Sequence, residues 1–175
     1  MGTLVSDLLT LAQLEGSARP HADRWVPLAP LLAQVAADAK LLSAGRHTLS
    51  FAAGVDAQIA GAQPELLSAV TNLLSNAVRY TPGGGRVDLT WKLMADGAGE
   101  IAVTDTGPGI AREHLPRLTE RFYRVDAGRS RQLGGTGLGL AIVKHIVNRH
   151  RGALTIDSEP GRGSVFTVHL PAAEG

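Results

Sequence analysis

A chain of 175 residues with 44% hydrophobic content is long enough to bury one core, and one globular domain with a little flanking sequence is the expected organisation. Charged residues make up 19% and the formal net charge is +1, which excludes a global field that would draw the chain onto nucleic acid or an anionic membrane, so a partner must be met through a local site. The lack of cysteine excludes disulfides and thiolate metal sites; with no apolar run of membrane-spanning length and no leader-like pattern after Met1, the expected location is cytoplasmic.

Leu4, Leu8 and Leu11 recur at helical spacing beside Val5, Leu9 and Leu14, which predicts an amphipathic helix over residues 3–15 that reads as the end of something longer. Gly16, Ser17 and Pro20 break the pattern, so the expected divisions are a helical remnant at 1–16, a linker at 17–25, the main domain at 26–171 and a tail at 172–175. Residues 26–44 predict a second helix that buries Leu31, Leu32, Val35 and Ala39 and ends at Gly45. Short strands follow at 47–51 and 58–60. Pro64 then opens a helix that runs to Tyr80 and is stopped by Thr81-Pro82-Gly83-Gly84-Gly85.

Residues 86–93 and 100–105 alternate or run β-branched around Asp96-Gly97, which predicts a hairpin at the centre of a sheet. A polar, Arg- and Gly-rich stretch covers 121–135, a helix 136–150, and strands 153–157 and 164–170 flank Glu159-Pro160-Gly161. Helices and hairpins interleave without a βαβ rhythm. The expected fold is therefore α+β, a two-layer sandwich with helices on one face of a mixed, mostly antiparallel sheet.

Three segments carry candidate chemistry. On the helix before Thr81, 100° per residue places Leu66, Leu67, Val70, Leu73, Leu74, Ala77 and Val78 on one side and Glu65, Asn72, Asn76 and Arg79 on another. That second line is either a solvated face or a ligand site; asparagine is a poor helix former, and amide oxygens suit a Mg²⁺ ion whose other ligands are water and phosphate. Asp105-Thr106-Gly107-Pro108-Gly109-Ile110 ends an apolar strand. It is either an Asp-started turn or a pocket in which an acceptor-only carboxylate selects adenine through its exocyclic amine, with Gly107 and Gly109 letting the backbone lie flat against a ring. Gly134-Gly135-Thr136-Gly137-Leu138-Gly139-Leu140 opens a helix, where free amides and the dipole suit phosphate. It is neither a P-loop nor a dinucleotide fingerprint. Arg121, Arg124, Arg129 and Arg131, between the second and third segments, read as a solvated basic loop or as a lid that orders over a triphosphate.

Taken in this order, the segments resemble the catalytic domain of sensor histidine kinases, within the ATPase superfamily that includes gyrase, the Hsp90 chaperone and MutL. Asn72-Leu-Leu-Ser-Asn76-Ala-Val-Arg79-Tyr80-Thr81-Pro82 is similar to the N box, Asp105 to Ile110 to the first glycine box, Glu120-Arg-Phe-Tyr-Arg124-Val-Asp126 to the F box and Gly135 to Leu140 to the second glycine box. The resemblance implies ATP and Mg²⁺ as cofactors. It implies that Asn76 binds Mg²⁺ with Asn72 nearby, Arg79 reaches phosphate, Tyr80 packs by the purine and Asp105 reads adenine with Gly107, Gly109 and Ile110 around it. It further implies that Phe122 anchors the lid, Arg124 meets the γ-phosphate, and Gly135, Thr136, Gly137, Leu138 and Gly139 cradle the phosphates. Residues 4–15 resemble the tail of the second helix of a dimerisation domain.

Asn72 separates the branches of the superfamily. Gyrase-like members carry a water-activating Glu one turn before the Mg²⁺ asparagine, and an amide is no general base at neutral pH, so slow hydrolysis is expected. The family's acceptor histidine is followed by an acid, and none of His21, His47, His114, His145, His150 or His169 is; each reads as a surface or strand-end residue. The resemblance thus implies phosphoryl transfer to a histidine on a separate helical domain, and a response regulator beyond it, with no nucleic acid and with a homodimeric, membrane-anchored parent. Alternatives are an ATP-binding module without catalysis and a hydrolytic ATPase. His150-Arg151-Gly152 stands where His-Gly-Gly is commoner, a change expected to affect the turn.

Overall fold

The computed structural model describes residues 2–16, 25–51, 58–94, 96–125 and 136–171. In chain order the elements are α1 (Gly2–Gly16), β1 (Trp25–Pro27), α2 (Leu28–Ser43), β2 (Thr48–Phe51), β3 (Gln58–Ala60), α3 (Gln63–Tyr80), β4 (Arg86–Leu93), β5 (Gly99–Asp105), a 3-10 turn at Arg112–Arg117, α4 (Gly139–Arg149), β6 (Ala153–Glu159) and β7 (Gly163–Leu170). Five strands form one sheet in the order β2-β4-β5-β7-β6, with β2 and β4 parallel and every other pair antiparallel.

The period of two along the strands sends one set of side chains into the core. Val87 and Leu89, Ile101 and Val103, and Phe166, Val168 and Leu170 are all 3% exposed or less, and the register sets Val103 between Leu89 and Phe166. Against this face α3 lays Leu66, Ala69, Val70, Leu73, Leu74, Ala77 and Val78, and α4 lays Ile142, Val143, Ile146 and Val147. Each buried leucine is worth about 2 kcal/mol, whereas each asparagine costs an α-helix less than about 0.7 kcal/mol in propensity, so packing holds α3 helical through Asn72 and Asn76. The fold is the two-layer α+β sandwich expected from the sequence.

Some boundaries differ for tertiary reasons. The helix expected from residue 26 begins at Leu28, because Val26 pairs with Ile59 in a separate two-stranded sheet. The helix expected from 136 begins at Gly139, after a turn in which Gly137 has φ +79°. The 3-10 turn at Arg112–Arg117 lies in a stretch given no element from the sequence. Helix α1 is held by its C-terminal half: Leu11 and Leu14 are buried, while Leu4, Val5, Leu8 and Leu9 remain exposed.

Two polar groups inside this framework correct the sequence reading. Glu65, expected beside Asn72, Asn76 and Arg79, instead turns to Arg149 with Nε–Oε1 2.6 Å and Nη2–Oε2 3.1 Å, and Arg149 Nη1 donates to the Leu14 carbonyl at 2.9 Å. This fork ties α3, α4 and α1 together. His150, expected at the surface, is 5% exposed. Its Nδ1–H donates to the Ile146 carbonyl at 2.8 Å, and its Nε2 accepts from the Ala62 amide at 3.0 Å. Gly61 permits the approach, since a Cβ there would lie 2.6 Å from the imidazole Cδ2. His21 lies outside the described residues.

The turn after α4 behaves as its unusual residue suggested: Arg151 has φ +60°, a left-handed conformation that costs side chains other than glycine about 1 kcal/mol. Arg151→Gly is therefore expected to stabilise the chain by about 1 kcal/mol in denaturant unfolding. Glu65→Ala, which strips the carboxylate from the largely buried Arg149, should destabilise it by about 3 kcal/mol in the same assay. Burial, the largest cause, holds the His150 pKa below its ordinary value. The unfolded chain then binds the proton more readily than the folded one, so stability is complete above the ordinary imidazole value and declines as pH falls below it. Thermal unfolding at pH 5 and pH 8 checks this, with His150→Gln expected to flatten the acid-side decline.

Candidate functional site

A cavity of about 590 Å³ opens between α3, the end of β5 and the start of α4. The polar side of α3 forms one wall with Asn72, Asn76, Arg79 and Tyr80, and Ile110, Leu118, Leu140 and Phe166 give the cavity an apolar part. Arg79 thus joins the two amides, as helical spacing predicts for residues three and four apart.

Asp105 lies at the mouth of β5 and is 9% exposed. Its Oδ1 accepts the Gly107 amide at 2.9 Å. Burial raises its pKa, against the opposing hydrogen bonds from the Gly107 and Ser164 backbone. The carboxylate is seated by close backbone packing: Gly163 has φ +100°, and a Cβ there would lie 2.0 Å from the Asp105 carbonyl oxygen. Gly107 therefore serves the cavity through its amide on Asp105, while Gly109 and Ile110 line it directly. A Cβ on Gly109 would lie 2.0 Å from the Glu159 carbonyl oxygen, so this glycine is required by packing on the β6–β7 turn.

At the other end, Thr136, Gly137 and Gly139 line the cavity before and at the first residue of α4. A Cβ on Gly139 would meet Asn72 Oδ1 at 3.0 Å, while Asn72 Nδ2 donates to the Ser68 carbonyl at 2.8 Å. The amide oxygen of Asn72 is thereby turned toward the start of α4, where unsatisfied backbone amides and the helix dipole favour anions. Gly137 accepts the Phe122 amide at 2.8 Å, bringing Tyr123, Arg124 and Val125 to the cavity.

Two expected residues stand elsewhere. Leu138 is wholly buried in the core and does not line the cavity, because the turn that exposes Thr136 and Gly137 sends it inward. The Phe122 side chain is 55% exposed, and the residue holds its segment through its amide. Gly135, like Arg129 and Arg131, lies outside the described residues. Sequence reasoning missed Asp7, whose Oδ2 accepts the Thr136 hydroxyl at 2.7 Å, and Tyr123, which lies under the Arg117 guanidinium at 4.5 Å and bonds through its hydroxyl to His114. Asp7 had as its only signal a carboxylate among the leucines in the first half of the helix.

The donor chemistry selects the ligand class. Among the described residues no group of three His, Cys, Asp or Glu side chains could hold a metal. A hard cation here would meet neutral amide oxygens and would need further oxygen ligands from an anionic ligand and water, which fits Mg²⁺ carried by phosphates. An apolar part, one buried carboxylate at the end of β5, and helix-terminal amides beside Arg124 at the start of α4, with Arg79 also lining the cavity, fit a purine nucleotide.

The family model described as histidine kinase-, DNA gyrase B-, and HSP90-like ATPase matches residues 61–174. The chain is 50% identical over 175 residues to the phosphate regulon sensor protein PhoR of Pseudomonas aeruginosa, covering 99% of this chain and 39% of that protein. It is 39% identical over 177 residues to the sensor-like histidine kinase SenX3 of Mycolicibacterium smegmatis, covering 98% and 44% respectively. The chain thus spans about two fifths of these relatives. Among solved structures, the mycobacterial sensor histidine kinase MprB superposes with a TM-score of 0.74 at 30% identity, covering 87% of this chain and all of that one. Full-length ShkA in complex with AMPPNP superposes with a TM-score of 0.78 at 30% identity, covering 99% and 36%. The chain belongs to the histidine kinase-, DNA gyrase B- and HSP90-like ATPase family, and within it to the catalytic domains of sensor histidine kinases.

Proposed function

We propose that the cavity binds Mg-ATP and that the domain transfers the γ-phosphoryl group to a histidine on a separate helical domain, from which a response regulator is charged. The observation that carries this reading is the convergence of Asn76, Asp105 and the Thr136–Gly139 turn on one cavity. Adenine lies in the apolar part beside Tyr80, with its exocyclic amine donating to Asp105, and guanine is rejected because it presents no such donor there. Gly107 orients Asp105, and Gly109 and Ile110 border the ring. Asn76, with Asn72 alongside, would hold Mg²⁺, which when bound would supply neutralisation of phosphate charge.

Arg79 and the amides at Gly135, Thr136, Gly137 and Gly139 hold the phosphates, and Arg124 meets the γ-phosphate as charge develops on it. In the transfer, an imidazole nitrogen forms the N–P bond, the bond from the γ-phosphorus to the β–γ bridging oxygen breaks, ADP leaves, and the imidazole gives up its ring proton. The chain contributes position and charge. Asn72 supplies no general base, which protects the nucleotide from water and weighs against a gyrase-like hydrolase. Intact Asn76, Asp105 and Arg124 weigh against a module that only binds.

The acceptor domain, with α1 as the tail of its second helix, makes the parent homodimeric; the parent is membrane-anchored with this part in the cytoplasm. Among the described residues no helix is long and apolar enough to cross a membrane. Nucleic acid is not a partner.

Calorimetric titration tests the site. Asp105→Asn is expected to lose at least about tenfold of the preference for ATP over GTP, since a specific hydrogen-bond partner is replaced by one with a donor of its own. Asn76→Ala should lose most of the Mg²⁺ enhancement of ATP affinity while keeping adenosine affinity. Equal ATP and GTP affinities in the unaltered chain would overturn the assignment. With γ-labelled ATP, label should pass to a supplied acceptor-helix domain of a sensor kinase, while the chain alone should release phosphate very slowly.

A further inference from the structure

Helix α1 does more than pack on the domain. Its C-terminal half is seated by the buried Leu11 and Leu14 and by Arg149, which donates to the Leu14 carbonyl at 2.9 Å. Glu15 pairs with Arg121, directly before the Phe122–Val125 segment. One and two turns back along the helix, these anchors carry Asp7 to the cavity, where its carboxylate accepts the Thr136 hydroxyl at 2.7 Å while the same hydroxyl accepts the Leu138 amide at 3.2 Å.

The α4 N-terminus favours an anion, and α1 brings one to it. On the nucleotide reading above, this is also where phosphates bind. A fixed carboxylate and a terminal phosphate in one cavity repel each other, and the single Thr136 hydroxyl has one proton to donate. We propose that Asp7 is an affinity-determining residue of the nucleotide cavity: the docked α1 holds its carboxylate at the phosphate end, so α1 docking and triphosphate binding oppose each other. By linkage, whatever pulls α1 from this seat raises triphosphate affinity, and a bound triphosphate weakens the seat by the same factor. The anchors at Leu11, Leu14 and Glu15 make the coupling a property of the whole helix, while the discrimination rests on one charge. Adenosine, which has no phosphate, does not feel it.

The test titrates the full chain and Asp7→Asn with adenylyl imidodiphosphate plus Mg²⁺, and separately with adenosine, at one ionic strength. Removing one like charge is expected to tighten the triphosphate analogue by about fivefold or more and to leave adenosine affinity within about twofold. In the unaltered chain, amide hydrogen exchange over residues 4–14 should accelerate when the analogue binds. Unchanged or weakened analogue affinity in Asp7→Asn, with adenosine still binding both chains, overturns this inference and leaves the nucleotide site standing. Slower exchange in α1 on analogue binding also overturns it. Failure of both chains to bind either ligand removes the nucleotide reading, and this inference with it.

Discussion

Helix α3 has to satisfy two surfaces at once, and the rest of the structure is arranged around that requirement. Its apolar side enters the core against β4 and β5, with Leu66, Val70, Leu73, Leu74 and Val78 all 2% exposed or less. Its other side carries Asn72, Asn76, Arg79 and Tyr80 to the cavity. Because the buried side fixes the helix's rotation, the amides cannot turn away from the cavity without unpacking the core. The site is therefore as rigid as the fold along this wall.

The opposite walls are set by backbone approach. Gly163 lets β7 close on the Asp105 carbonyl, and Gly139 lets α4 begin against the Asn72 amide. At Gly163 a Cβ would meet a backbone oxygen at 2.0 Å and force the strands apart, whereas at Gly139 it would only crowd the Asn72 amide oxygen at 3.0 Å. The buried Asp105 carboxylate is held by amides from Gly107 and Ser164. A carboxylate so placed is aimed by the main chain and keeps an open acceptor for a ligand.

Buried polar contacts link the helical layer to that site. Arg149 joins Glu65 on α3 to the Leu14 carbonyl on α1, and His150 joins the end of α4 to Ala62 just before α3. The start and end of α4 thus meet different duties: its N-terminus faces the cavity, and its C-terminal residues clamp the layer. Helix α1 touches both ends, through Asp7 at one and Leu14 at the other.

Much of this was legible in the sequence. A 3.6-residue period over α3 separates its two faces without knowledge of any neighbour, and alternation over β4, β5 and β7 identifies the inward side chains. The strand-ending Asp105 and the glycine turn before α4 are local signals, so their positions were readable. What local pattern cannot supply is which distant backbone arrives beside a residue. Strand β1 exists because β3 pairs with it, His150 is buried because Gly61 admits it, and Glu65 leaves the cavity line because Arg149 lies within reach. Leu138 sits inside the glycine-rich turn before α4 yet belongs to the core, since the turn exposes its neighbours and inverts it. Asp7 reaches the cavity only through the angle at which α1 is docked, which depends on contacts with residues more than a hundred positions away. Sequence periodicity determined the elements and their faces; long-range packing decided which polar groups share a cavity, because burial and charge pairing are properties of position in space.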